Sequence, residues 1–194
     1  MTLSRNITIA LIAGAAALAA ASVPASAQAP AGAPAQAPAQ VKPTGEKIAF
    51  PENYAQGELY ATVDRADNKQ YRELYISKAA VDAAKRGEPL PHGTVITLVQ
   101  YAAQLDPQGN PVKDANGRFI KTNIVAYTVM EKRAGWGAEY PDNMRNGEWE
   151  YQAFRADRTP NTSANLTACF NCHKPLDPKQ DFVFTYDRLK GTTR

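Results

Sequence analysis

The sequence predicts an α+β domain, an antiparallel β-sheet with a few flanking helices. Three observations carry this expectation. Short segments rich in Val, Ile, Thr and Tyr recur between residues 58 and 154, several of them alternating apolar with polar positions. Strong turn signals separate them, among them Asp67-Asn68, Pro107-Gln108-Gly109-Asn110 and Asn116-Gly117. Helical patterning is confined to brief stretches bounded by cap residues.

Taken in order, residues 58–63 form a short, partly alternating strand, and residues 71–76 alternate more clearly. Asp67-Asn68 supplies the turn between them. Ser77 can cap a short helix over 78–86, closed by Gly87, with Ala79, Val81 (at its edge), Ala83 and Ala84 on the apolar face. After the break at Pro91-His92-Gly93, residues 94–103 and 123–130 form two more strands. The polar stretch between them reads as the extended tip of a long hairpin. A further strand is expected at 148–154, and a helix or helical turn carrying the cysteines beyond Asn161. No internal repeat is evident.

The N-terminus reads as an export signal. Arg5 provides a positive start, residues 7–21 a short apolar run, and Ala25-Ser26-Ala27 a small-x-small cleavage site. The run is shorter than the roughly 20 residues that span a bilayer. Residues 1–27 are therefore expected to be a signal peptide cleaved after Ala27, which places the mature chain in the periplasm. Residues 28–47, rich in Ala, Pro and Gln at their start, are expected to be a disordered linker, because they carry too little apolar surface to offset ordering entropy. The folded domain is then 48–194.

Charge excludes one class of partner. The 22 Lys and Arg residues nearly balance the 19 Asp and Glu, and the basic side chains are scattered, so nothing points to nucleic acid.

The one strong chemical motif is Cys169-Phe170-Asn171-Cys172-His173. In c-type haem attachment each thiolate adds across a porphyrin vinyl group, and the His that follows comes under the iron as axial ligand. The chain has 2 Cys and 2 His, and all but His92 fall in these five positions. Structural zinc normally wants four protein ligands, and only Cys169, Cys172, His173 and His92 are available. A thioredoxin-like redox pair would follow an early strand rather than lie near the C-terminus, and an inert disulfide is the remaining alternative. A single motif implies a single haem c, held by Cys169 and Cys172 with His173 as the metal ligand. For the sixth position Met130, Met144 and His92 come into question, as does an open or water-filled site. Tyr101, Tyr127, Trp136, Tyr140, Trp149, Tyr151 and Phe154 can form the flat walls of a haem pocket or serve equally as ordinary core.

These residues, with their flanks, resemble the cytochrome P-460 family of exported monohaem cytochromes. The resemblance rests on Gly93-Thr94-Val95 opening a strand after a short helix, a long hairpin, then Gly147-Glu148-Trp149-Glu150-Tyr151-Gln152-Ala153-Phe154. Ala168-Cys169-x-x-Cys172-His173-Lys174 and Asp181-Phe182-Val183-Phe184-Thr185 complete it. It implies an antiparallel-sheet homodimer with a five-coordinate haem, and two functional types. One oxidises hydroxylamine and carries a Lys bonded to the haem. The other lacks that bond, has an apolar distal pocket and binds nitric oxide or other small gases. The position matching the cross-linking Lys is Leu98, and the stretch before Cys169 lacks a close carboxylate, the nearest acid being Asp157. Lys113 and Lys121 are the other lysines that could approach the haem.

The expectation is thus an exported monohaem c-type cytochrome, with Leu98 at the cofactor, that binds a small ligand such as nitric oxide or passes one electron to a redox partner protein. The alternative is an oxidoreductase acting on hydroxylamine or another nitrogen oxide. A third possibility is an exported protein whose six-coordinate haem only shuttles electrons. Phe182 and Phe184 are expected at the haem or at an interface.

Overall fold

The computed structural model describes residues 41–191. The expected signal peptide and most of the expected linker lie outside the described residues. Within 41–47, Gly45 packs closely on the Gln152 side chain, and Lys47 pairs with Glu139 and Glu150, so contacts with the domain begin a few residues before Ile48.

Five strands form one antiparallel sheet in chain order: β1 (Glu58–Arg65), β2 (Gln70–Ile76), β3 (Val95–Ala103), β4 (Lys121–Lys132) and β5 (Trp149–Arg155). Each pairs antiparallel with the next, as consecutive strands tend to. Three short helices flank the sheet: α1 (Lys78–Lys85), α2 (Leu166–His173) and α3 (Tyr186–Leu189). The fold is α+β, as the patterning implies.

Local chemistry sets the boundaries. The Ser77 hydroxyl accepts from the Ala80 N–H at 3.4 Å, and Gly87 follows the helix with φ +75°, a conformation that side chains disfavour. The buried face of α1 is Ala80, Val81, Ala83 and Ala84, while Ala79 is exposed. This corrects the expectation that Ala79 lies on the apolar face. The capped first turn rotates it to solvent and brings Ala80 against the core.

The β3–β4 connection is the long hairpin expected, and it contains two like turns. Asp106 Oδ1 accepts from the Gln108 and Asn110 amides, and Asp114 Oδ1 accepts from the Asn116 and Arg118 amides. Gly109 and Gly117 occupy the same left-handed position in each. This small duplication leaves little repeat signal in the sequence, because the turns themselves require only the Asp and the Gly.

Strand alternation gives the sheet two faces. On one, Glu73, Val99, Tyr127 and Phe154 lie in register across β2 to β5, covered by Ile48, Phe50, Tyr54 and Trp136. On the other, Leu74, Leu98 and Thr128 lie side by side, as do Ile96, Met130 and Tyr151. This second face packs against α1, α2, α3 and their connections. The aromatic residues thus divide. Tyr101, Tyr127, Trp136 and Phe154 belong to the first layer, Tyr140, Trp149 and Tyr151 to the second. Full burial of such a side chain contributes about 1.5–3 kcal/mol.

Candidate functional site

α2 carries the motif. Leu166 and Phe170, four residues apart, form its buried edge. The Phe170 ring meets those of Tyr140 and Tyr151, each at 4.8 Å between centroids. Asn146, fully buried, donates from Nδ2 to the Phe170 carbonyl and to the Tyr151 hydroxyl, both at 3.0 Å. These contacts fix the helix, so Cys169, Cys172 and His173 fall three and four residues apart on one side of it. Both cysteines are free thiols, Cys169 half-buried and Cys172 exposed. Burial raises the Cys169 thiol above its ordinary value, and the neighbouring Cys172 raises it further.

His173 is held on three sides. Its ring lies 5.0 Å from that of Tyr151 and 4.9 Å from that of Phe184. Its Nδ1 is 2.7 Å from the Phe182 carbonyl oxygen. A carbonyl can only accept, so Nδ1 carries the proton and Nε2 keeps its lone pair. Burial lowers the imidazole below its ordinary value, and the bond to Phe182 offsets this only in part. The ring is therefore a neutral imidazole with one nitrogen pair available, the form a metal requires.

The Phe182 carbonyl is aimed by an unusual turn. Asp181 and Phe182 both adopt left-handed backbone conformations, φ +50° and +57°. Each such non-glycine residue costs on the order of 1–3 kcal/mol and persists only where its surroundings enforce it. Here the Asp181 carboxylate is buried and accepts from Lys132 Nζ at 3.0 and 2.8 Å, from the Leu90 amide at 2.9 Å and from Trp149 Nε1 at 3.2 Å. Gly147, itself at φ +59°, lies close beneath: a Cβ there would come within 3.3 Å of the Phe182 ring and press it aside by a few tenths of an ångström.

Between the sheet and this turn lies a cleft of about 350 Å³. Leu74, Ile96, Leu98, Thr128, Met130 and Tyr151 line it from the sheet; Cys172, His173, Val183 and Phe184 line it opposite. Two guanidinium groups, Arg65 and Arg72, lie in the same wall. Arg65 pairs with Asp67. Arg72 bonds only the Gln70 side-chain oxygen, at 3.0 and 2.8 Å, with no ion-pair partner among the described residues. Burial, and then Arg65, lower its affinity for a proton.

The model for cytochrome P460 matches residues 51–185. The chain belongs to the cytochrome P460 family. No curated protein matches it. The family's cofactor is haem, and the residues present fit one: a neutral imidazole with a free nitrogen pair and an adjacent thiol open onto one mostly apolar cleft, the second thiol on the same side of α2. Iron would be held by His173, with porphyrin walls supplied by Leu74, Leu98 and Phe184.

Against this family background the expected site residues separate clearly. Cys172, His173 and Leu98 all line the cleft, and Cys169 packs at the edge of the adjoining core. Of the two methionines considered, Met130 lines the cleft, whereas Met144 faces a separate depression with Thr167 and Asn171. His92 pairs with Glu148 at the surface. Lys121 pairs with Glu73 on the opposite face of the sheet, and Lys113 covers the Phe119 ring in the hairpin. No lysine lines the cleft among the described residues. Phe184 meets His173, while Phe182 packs in the core beneath it. Arg65 and Arg72 were missed by sequence reasoning, although two-residue periodicity in β2 puts Arg72 on the same face as Leu74. The expectation of an apolar pocket is corrected to this extent: the cleft is mostly apolar but carries this pair of cations, and Thr128 and Thr185 also line it.

Proposed function

We propose that this chain is an exported monohaem c-type cytochrome that binds a small neutral ligand, nitric oxide first, at an open iron position or passes single electrons to a redox partner protein. Cys169 and Cys172 each add their S–H across a vinyl group of one haem, forming a thioether bond with the proton ending on the vinyl carbon. His173 Nε2 ligates the iron. The observation that carries the reading is the placement of His173, with Nδ1 donated to the Phe182 carbonyl and the remaining nitrogen left to a cleft it shares with Cys172.

The bound haem supplies an iron that changes oxidation state and takes diatomic ligands. The protein's part is to orient the imidazole, exclude water with Leu74, Ile96, Leu98 and Met130, and hold the macrocycle by two covalent anchors. With Leu98 at the family's lysine position, nothing supports a haem–lysine bond. The N-terminal signal and the motif agree on the periplasm as the compartment of assembly, and family resemblance suggests a homodimer.

One observation favours a second reading. The Arg72 guanidinium lacks a carboxylate partner and can stabilise partial negative charge on a bound nitrogen oxide, which suits an oxidoreductase acting on hydroxylamine or a related substrate.

Optical spectra of the haem-loaded protein, ferric and ferrous, before and after nitric oxide, separate these readings. An ordinary high-spin c-haem Soret band that shifts with nitric oxide, together with no hydroxylamine turnover, supports ligand binding. A strongly red-shifted ferrous band with turnover supports the oxidoreductase. A low-spin spectrum indifferent to nitric oxide leaves electron transfer alone.

A further inference from the structure

The strained turn at Asp181 and Phe182 lies far from the motif in its anchoring yet ends on the motif histidine. Asp181 follows the short 3-10 helix Pro178–Gln180, and its carboxylate collects partners from three places in the fold. Lys132 comes from the end of β4, Trp149 from the start of β5 and the Leu90 amide from the loop before β3. Lys132 is itself buried and also donates to the Leu90 carbonyl at 3.0 Å. Each Asp181 oxygen therefore receives two hydrogen bonds, and the carboxylate is held against three elements of the sheet side of the molecule. The next carbonyl along the chain, that of Phe182, accepts from His173 Nδ1 at 2.7 Å.

We propose that Asp181, clamped by Lys132, is the positioning residue for His173: it holds the Phe182 carbonyl in line with Nδ1 and thereby sets how strongly the imidazole donates to the haem iron. This rests on the reading above that His173 is the iron ligand. The physical link is that a strong hydrogen bond from Nδ1–H makes the ring more basic at Nε2, strengthens the metal–nitrogen bond and stabilises the oxidised metal. A carbonyl on a freely rotating turn would give a weaker and more variable bond. Two successive left-handed residues without glycine relax to ordinary conformations once the carboxylate loses its anchors, and relaxation swings the Phe182 carbonyl away from the ring.

Two variants isolate this effect. Asp181→Asn keeps a residue tolerant of the left-handed region but removes the ion pair. The double variant Lys132→Met with Asp181→Asn removes both charges, so no lone charge is left buried. Both are compared with wild type and with Asp82→Asn, which loses only an exposed pair with Lys78. The full-length, haem-loaded proteins are measured by resonance Raman spectroscopy in the ferrous state and by redox titration. The iron–histidine stretch is expected to move to lower frequency and the reduction potential to rise in both variants, with Asp82→Asn unchanged. Haem-loaded variants that keep the wild-type stretch and potential overturn the proposal. So do variants neither of which takes up haem while wild type does, because the pair is then needed for folding alone. A haem-loaded His173→Ala variant that keeps the wild-type ferrous spectrum refutes instead the assignment of His173 on which the proposal stands.

Discussion

Leu98 of β3 lies directly across from Leu74 of β2 and Thr128 of β4, on the sheet face that lines the cleft. The three side chains form the wall facing His173, and none of them can bond covalently to a porphyrin. Leu98 is only half-buried, so Leu98→Ala is expected to cost about 1–2 kcal/mol, less than the ~2–5 kcal/mol typical of a fully buried leucine. It should also open the cleft. Stopped-flow mixing is expected to show faster nitric oxide association with haem loading unchanged. An unchanged association rate means that Leu98 does not gate the ligand path.

Arg72 is expected to distinguish anionic from neutral ligands. Its guanidinium is bonded to Gln70 and lies in the cleft without an acidic partner. Arg72→Met is expected to weaken azide or nitrite binding by about tenfold, equivalent to about 1.4 kcal/mol, while nitric oxide affinity stays within about twofold on the same scale. Equal losses for both ligands show that the substitution merely disturbs the site.

Asn146 joins the motif helix to the sheet. It is fully buried, and its Nδ2 serves both the Phe170 carbonyl and the Tyr151 hydroxyl. Asn146→Ala takes away the buried hydrogen bonds to the Tyr151 hydroxyl and to the Phe170 carbonyl, which then keeps only the Lys174 amide, so the unfolding free energy should fall by about 1–3 kcal/mol. Thermal unfolding followed by circular dichroism measures it. A variant as stable as wild type removes Asn146 from the account of how α2 is held.

Glu150 gives a pH dependence of definite sign. Burial raises its carboxyl above the ordinary value of 4.5, and hydrogen bonds from Lys47 and Tyr140 only partly oppose this. Because the folded-state value is the higher one, the folded protein binds this proton more readily than the unfolded chain. The carboxylate therefore opposes folding above its folded-state value, and the penalty is relieved as pH falls toward 4.5. Relative to Glu150→Gln, wild type is expected to gain stability over that descent. Parallel melting profiles for the two proteins across it contradict the assignment.

Much of the sheet was legible because alternation and turn chemistry are local. Each of the five strands lies within a few residues of its sequence expectation, and Ser77 and Gly87 bound α1 as their chemistry requires. The motif Cys169-Phe170-Asn171-Cys172-His173 was equally legible, since three rare residues within five positions stand out in any sequence. What could not be read depends on contacts between distant segments. Lys132 and Asp181 are 49 residues apart, and neither residue announces burial. The two left-handed residues at 181 and 182 carry no glycine to mark the turn. α3 is only four residues long, too short for a periodic signal. The aromatic residues of the second half were visible as a group. Their division between the two faces followed only once the strand register was known.

The central claim is that one haem is bonded to Cys169 and Cys172. The most direct test is the intact mass, under denaturing conditions, of the protein matured in a periplasm equipped for c-type haem attachment, beside a Cys169→Ala/Cys172→Ala variant. The account predicts a mass equal to the mature polypeptide plus one haem, with the haem lost from the variant. A wild-type mass equal to the polypeptide alone, or a variant that keeps a covalently bound haem, contradicts it.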